Sequence, residues 1–278
     1  MQNTSSQILD RYIRARYPLI FIVSHEESRV MNSIQSVSKE MKLSNSKKAP
    51  RIVVEWSFTK GLNILTEGKE VAGLRDPKEY SDPNSAMSFV ASFDQTGEHA
   101  PVLFVFKDLH RIMAQDLMTV RYLRDIFANF ETRKHNVIML SPELTIPADI
   151  EKQVAVIDWA LPGVPELEGI LRQAETELDA DLIALNGSRD MVVQAMRGLT
   201  DGEAANALKA GIIASGKLDD SVVQFILNEK KQIIRKSGVL EYFEANVTMS
   251  DVGGFDGLKS YAAMKRNAMT QKAREAGV

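Results

Sequence analysis

The chain has 278 residues, 44% of them apolar, with 34 basic against 37 acidic side chains and a formal charge of −3. That length fits one large domain or two small ones with a real core, and the charge balance excludes a global attraction to nucleic acid or to an anionic membrane. Cysteine is absent, which excludes disulfides, thiolate metal sites and a cysteine nucleophile.

No apolar run nears the ~20 residues that span a bilayer. Met1 to Arg16 is polar and amphipathic, unlike a signal peptide, so a cytoplasmic location is expected.

Thr4 to Tyr17 reads as a helix, with Thr4 and Gln7 able to form a capping box and Pro18 as its stop. Leu19 to Val23 is an unbroken apolar run, as expected of a strand covered on both faces. Ser24-His25-Glu26-Glu27-Ser28 follows, then a helix to about Met41 and a polar, basic connector. Ile52 to Phe58 is the next strand. From Gly61 to Pro83 the reading is a loop rich in Gly, Pro and charge. Asp82-Pro83 then starts a helix, with Asp as cap and Pro in the first turn.

Val102 to Phe106 is the most uniform apolar run, and it ends abruptly at Lys107-Asp108. A helix over about Gln115 to Phe130 follows, then strands at Asn136–Leu140, ending at Ser141-Pro142, and Val154–Ile157, closed by Leu161-Pro162. Strands alternating with helices imply a parallel α/β sheet flanked by helices. After Pro165 the pattern is helical only: Glu166–Leu178, Arg189–Arg197, Gly202–Ala214 and Asp219–Lys236. From Val239 regularity is lost until a basic helix over Phe255–Ala276. No internal repeat is apparent.

In open α/β sheets, ligands gather beyond the carboxyl ends of the strands. The turn after the first strand has neither glycine nor lysine and carries Glu26 and Glu27. A triphosphate loop needs glycines so that backbone N–H groups can close around phosphate, and a lysine to neutralise it. The turn therefore reads as an ordinary strand-to-helix turn. Lys107 stands where a metal site would want an acid, so Lys107-Asp108 reads as a strand-end ion pair or a solvated lysine. His25, His99, His110 and His135 lack metal-ligand spacing and read as surface or loop residues. Basic residues at Lys230-Lys231, Arg235-Lys236 and Lys259–Arg274 have no interleaved aromatic platform.

Several segments together resemble an AAA+ module. They are Val156-Ile157-Asp158-Trp159-Ala160-Leu161-Pro162, Glu166 to Leu171, and Gly198-Leu199-Thr200-Asp201. Glu229 to Phe243 and Asp251 to Lys259 resemble the plastid and cyanobacterial-type AAA+ ATPases, in which a degenerate module precedes an active one. The resemblance puts the phosphate loop on Ser24–Arg29, with Ser24, His25 and Glu26 as its site residues, the Walker B acids at Lys107 and Asp108, and the sensor at Ser141. It implies that Asp251, Val252, Gly253 and Gly254 open the following module near its nucleotide.

On that basis the expected domains are a degenerate AAA+ core over 1–163, a helical lid over 164–238, and a linker into a second, absent module over 239–278. The expected function is a catalytically inactive regulatory or assembly region. No cofactor is expected for this chain; ATP and Mg²⁺ belong to the complete protein. The expected partners are the missing C-terminal AAA+ module and a homo-oligomer or protein partner, with no nucleic acid and no membrane. Two alternatives stay open. One is retained ATP binding or weak hydrolysis through Asp108 and Ser141. The other is a nucleic-acid-associated subunit like the inactive members of clamp loaders, using Lys265, Arg266 and Lys272.

Overall fold

The computed structural model describes residues 4–40, 50–94, 99–131, 133–185, 187–236 and 253–268. The α/β part opens with α1 (Ser5–Arg14), whose Thr4–Gln7 capping box is formed as expected. Then come β1 (Leu19–Val23), α2 (Glu27–Glu40), β2 (Ile52–Ser57) and β3 (Gly61–Ile64). They are followed by α3 (Pro83–Ser92), β4 (Val102–Lys107), the short α4 (His110–Met113), α5 (Leu117–Phe130), β5 (Asn136–Ser141) and β6 (Val154–Asp158). One six-stranded sheet runs β3-β2-β4-β5-β1-β6. β1 lies parallel between β5 and β6, and β4 parallel between β2 and β5.

The unbroken apolar runs have a direct cause. Alternate residues point to opposite faces, and both faces are covered. Leu19 and Phe21, Val54 and Trp56, Phe104 and Phe106, and Val137 and Met139 meet α3 and α5 in one core. Ile20 and Ile22, Val53, Leu103 and Val105, and Ile138 and Leu140 meet α1 and α2 in the other. Each fully buried large side chain contributes about 1.5–3 kcal/mol.

The sheet is mixed, which corrects the loop expected from Gly61 onward. Gly61–Ile64 pairs antiparallel with β2. It escapes a periodicity reading because it is four residues long, sits at the sheet edge and includes the polar Asn63. Gly61 is required there: its φ is 68°, and a Cβ would lie 1.8 Å from the Pro77 carbonyl oxygen.

Two histidines expected at the surface are buried. His110 is 3% exposed at the start of α4, and His135 is 1% exposed just before β5. His135 sits among Phe93, Phe130 and Asp94. Its Nδ1 accepts from the Val102 N–H at 3.1 Å, leaving Nε2 to donate to Asp94 Oδ2 at 2.7 Å. Burial pushes its pKa below the usual histidine value, with Asp94 acting the other way. Nearby, the buried Arg51 donates to Asn136 Oδ1 (2.8 Å) and to the Lys134 carbonyl. Burial and the neighbouring Arg16 bring its pKa down to about 10. Both residues lie at the amino ends of the strands, away from the end where ligands gather.

The helical part comprises α6 (Val164–Glu177), α7 (Arg189–Met196), α8 (Asp201–Ser215) and α9 (Ser221–Lys236). Leu167, Leu171, Val192, Met196, Leu208 and Val222 are buried. Thr200 and Glu203 form a second capping box, at the start of α8. By contacts the chain divides into two compact units, Met1–Ile226 and Leu227–Val278. In the second, α10 (Asp256–Ala268) exposes Leu258, Tyr261 and Met264.

Candidate functional site

The carboxyl ends of β1, β4 and β5 carry the residues singled out from the α/β part of the sequence. Strand alternation sends Glu55 of β2 and Lys107 of β4 to the same face as Val53, Leu103 and Val105, the face covered by α2. Glu27 opens α2. Lys107 Nζ lies 2.7 Å from Glu27 Oε1 and 2.7 Å from Glu55 Oε1. Burial disfavours the ammonium, but the hydrogen bonds to Glu27 and Glu55 outweigh it, and the Lys107 pKa is raised. Lys107 is thus ion-paired rather than solvated, and the acids it bridges are Glu27 and Glu55, not the adjacent Asp108. Asp108 beside it is exposed, with φ 56°, and its N–H donates to the Leu140 carbonyl at 3.0 Å. A cavity of about 260 Å³ opens here, its walls including Glu27, Glu55, Lys60, Lys107 and Asp108.

The turn after β1 is built differently. Ser24 N–H donates to the Ser141 carbonyl at 2.9 Å, so the two loop starts are joined. Ser24 Oγ accepts from the Glu26 N–H at 3.0 Å, a local turn that sets up α2. His25 points to solvent and Ser141 is buried. Glu26 is buried too, and Glu26 Oε1 accepts from the Asp201 N–H at 2.6 Å while Oε2 pairs with Arg29.

The structure therefore brings Ser24, Glu26, Lys107, Asp108 and Ser141 to one end of the sheet. Gly253 and Gly254 are exposed residues of the second unit, and Asp251 and Val252 lie outside the described residues. No cluster of three His, Asp or Glu suited to a metal ion occurs among the described residues.

Sequence reasoning gave Glu55 no role, met Arg29 only as the end of the phosphate-loop stretch and Asp201 only within the lid-turn motif, and read Glu27 as a turn acid unsuited to phosphate rather than as a partner of Lys107. For Glu55 there was a signal. It interrupts the otherwise apolar run from Ile52 to Trp56, and a charge inside a doubly covered strand requires a partner. Arg29 had a local one, its i,i+3 spacing from Glu26, but its contact with Ala160 and that of Asp201 with Glu26 had none, because those partners are 131 and 175 residues away in sequence.

The family described as SpoVK-like AAA ATPase, N-terminal domain, matches residues 5–159. The chain belongs to the SpoVK-like AAA ATPases. The second domain described for that family matches residues 165–237. Among curated relatives, the uncharacterised AAA domain-containing protein ycf46 of Guillardia theta is 26% identical over 267 residues, 96% of this chain and 49% of the relative. Its namesake from Trieres chinensis is 24% identical over 270 residues, 96% of this chain and 50% of the relative. The chain spans about half the length of the curated relatives it matches.

Solved structures of similar outline include a chain of the HORMA–CdnC–Trip13 complex of E. coli MS115-1, at TM-score 0.45 and 13% identity. It is matched over 86% of this chain and 79% of that one. PCH-2 of C. elegans is similar at TM-score 0.48 and 10% identity, over 82% of this chain and 67% of its own. As a SpoVK-like AAA ATPase region, the chain joins an α/β part and a helical part, the architecture that the sequence resemblance implied.

Proposed function

We propose that this chain is a catalytically inactive AAA module that serves as the regulatory and assembly region of a longer AAA ATPase. In this reading the core covers 1–163, the helical lid 164–238, and 239–278 leads into a second module. The observation that carries the reading is Lys107, held between Glu27 and Glu55 at 2.7 Å from each.

A magnesium triphosphate needs acids around its metal and backbone donors with a free cation around its phosphates. The residues here do not fit that group. The cation at the end of β4 is already neutralised by carboxylates, and the turn after β1 presents Glu26 and Glu27 in place of glycines. Asp108 and Ser141 alone supply one exposed acid and one buried hydroxyl.

ATP and Mg²⁺ use is assigned to the second module, with Asp251, Val252, Gly253 and Gly254 near its nucleotide. The module's own work is structural: packing against neighbouring subunits or a protein partner, in the cytoplasm. Titration of the chain with labelled ATP and Mg²⁺ tests this. No saturable binding in the micromolar range and no turnover are expected. Saturable binding with phosphate release would overturn the reading.

A further inference from the structure

One group of buried polar contacts outside the Lys107 site lies at the joint between the α/β part and the helical part. We infer that Glu26 is a built-in latch, an internal anion that holds the N-terminus of α8 against the core and fixes the joint without any ligand. The latch stands on geometry alone and does not depend on the proposed loss of catalysis.

Asp201 is the first residue of α8, after the cap at Thr200. The first N–H groups of a helix have no partner within the helix, and they carry the positive end of its dipole. The α8 capping box satisfies two other groups: Glu203 N–H donates to Thr200 Oγ1, and Thr200 N–H donates to Glu203 Oε2. The Asp201 N–H is left, and it donates to Glu26 Oε1 at 2.6 Å across 175 residues of sequence. The Glu26 side chain is 5% exposed. A carboxylate so buried needs both charge compensation and hydrogen bonds. It has Arg29 on one oxygen and the helix N-terminus on the other.

The same Arg29 also donates to the Ala160 carbonyl. Ala160 lies in the connector between β6 and α6, the covalent joint of the two parts. Its N–H is held as well, donating to Ser5 Oγ at 3.0 Å, and the preceding Trp159 N–H donates to the Val23 carbonyl at 3.0 Å. The joint is therefore gripped at both the N–H and the carbonyl of one residue, Ala160, while Glu26 grips the helix beyond it. A carboxylate at a helix N-terminus also fills, by charge and by donor, a place where an external anion would bind. The latch thus makes closure of the joint a property of the sequence.

Amide hydrogen exchange on the 278-residue chain, without nucleotide, tests the latch. In Glu26→Ala the Asp201 amide is expected to exchange roughly tenfold faster or more, the change that follows from losing a charge-assisted bond. The Ala204 amide, bonded to the Thr200 carbonyl at 2.8 Å, should keep its rate. Glu26→Gln keeps the shape but loses the charge, and should speed Asp201 exchange by roughly threefold or more while the chain stays folded.

The chain has no native cysteine, so spin labels at Glu151→Cys and Ile213→Cys report the joint directly. One narrow distance distribution is expected with Glu26 present, and a broader one in both variants. An Asp201 amide that is unprotected in the native chain would overturn the latch. So would unchanged exchange and unchanged distances in Glu26→Gln.

Discussion

Replacing Lys107 by Met tests the ion-paired site at its centre. The Lys107 side chain is 13% exposed and that of Glu55 11%, whereas Glu27 is 52% exposed. Met keeps most of the stem packing and removes the charge. Glu27 can turn to water, but Glu55 cannot leave its strand. The loss is therefore set by one stranded carboxylate, and breaking a buried pair from one side costs about 3–5 kcal/mol. The residual exposure argues for the lower end, about 3 kcal/mol. Glu27→Ala, removing a half-exposed partner, should cost at most about 1 kcal/mol.

The decisive variant is the double Lys107→Met with Glu55→Met. A buried pair replaced as a whole by apolar groups of similar volume is often neutral, so the second substitution should return most of what the first removed. Urea unfolding reads all four proteins through the fluorescence of the two buried tryptophans, Trp56 beside Glu55 and Trp159. A cost below about 1 kcal/mol for Lys107→Met, or no recovery in the double variant, would refute the reasoning.

Three further outcomes follow from other parts of the fold. Burial lowers the folded-state pKa of His135 below the roughly 6.5 of the unfolded chain. The unfolded state then takes up the proton first. The stability from neutral His135 is fully present above that value and is lost as pH falls through the folded-state pKa; urea midpoints measured between neutral and mildly acidic pH should fall, and by less in His135→Gln.

Gly61→Ala should lose roughly 2 kcal/mol or more, because φ is 68° and the added carbon would overlap the Pro77 carbonyl; a thermal melt reads it. In α8, an alanine Cβ at Gly211 would lie 2.9 Å from Val222 Cγ1 and 3.2 Å from Phe225 Cβ, whereas nothing lies near one at Gly202. Gly202→Ala should therefore gain up to about 1 kcal/mol from helix propensity, and Gly211→Ala should lose about 1–3 kcal/mol to overpacking, as compared by chemical denaturation.

Sequence by itself determined the class of fold and most of its elements. The reason is that a strand covered on both faces is apolar over most of its length, so Leu19–Val23, Val102–Phe106 and Val137–Leu140 announce themselves without any partner in view. The caps at Thr4 and Asp82 act within three residues, and Gly198-Leu199-Thr200 with Leu161-Pro162 carried the family resemblance. The sequence also placed Lys107 at the strand end and Glu26 in the turn.

Tertiary structure decided what those two residues do. Lys107 acquires Glu27 and Glu55 only when β2, β4 and α2 assemble, and Glu26 acquires Asp201 only when the helical part packs onto the core. The buried state of His135 belongs to the same class, since its partners Asp94 and Val102 lie far from it in sequence, and a pairing made through space leaves no periodicity in the sequence for a local reading to find. The edge strand at Gly61–Ile64 pairs locally with β2 and escapes for another reason, its four-residue length and the polar Asn63.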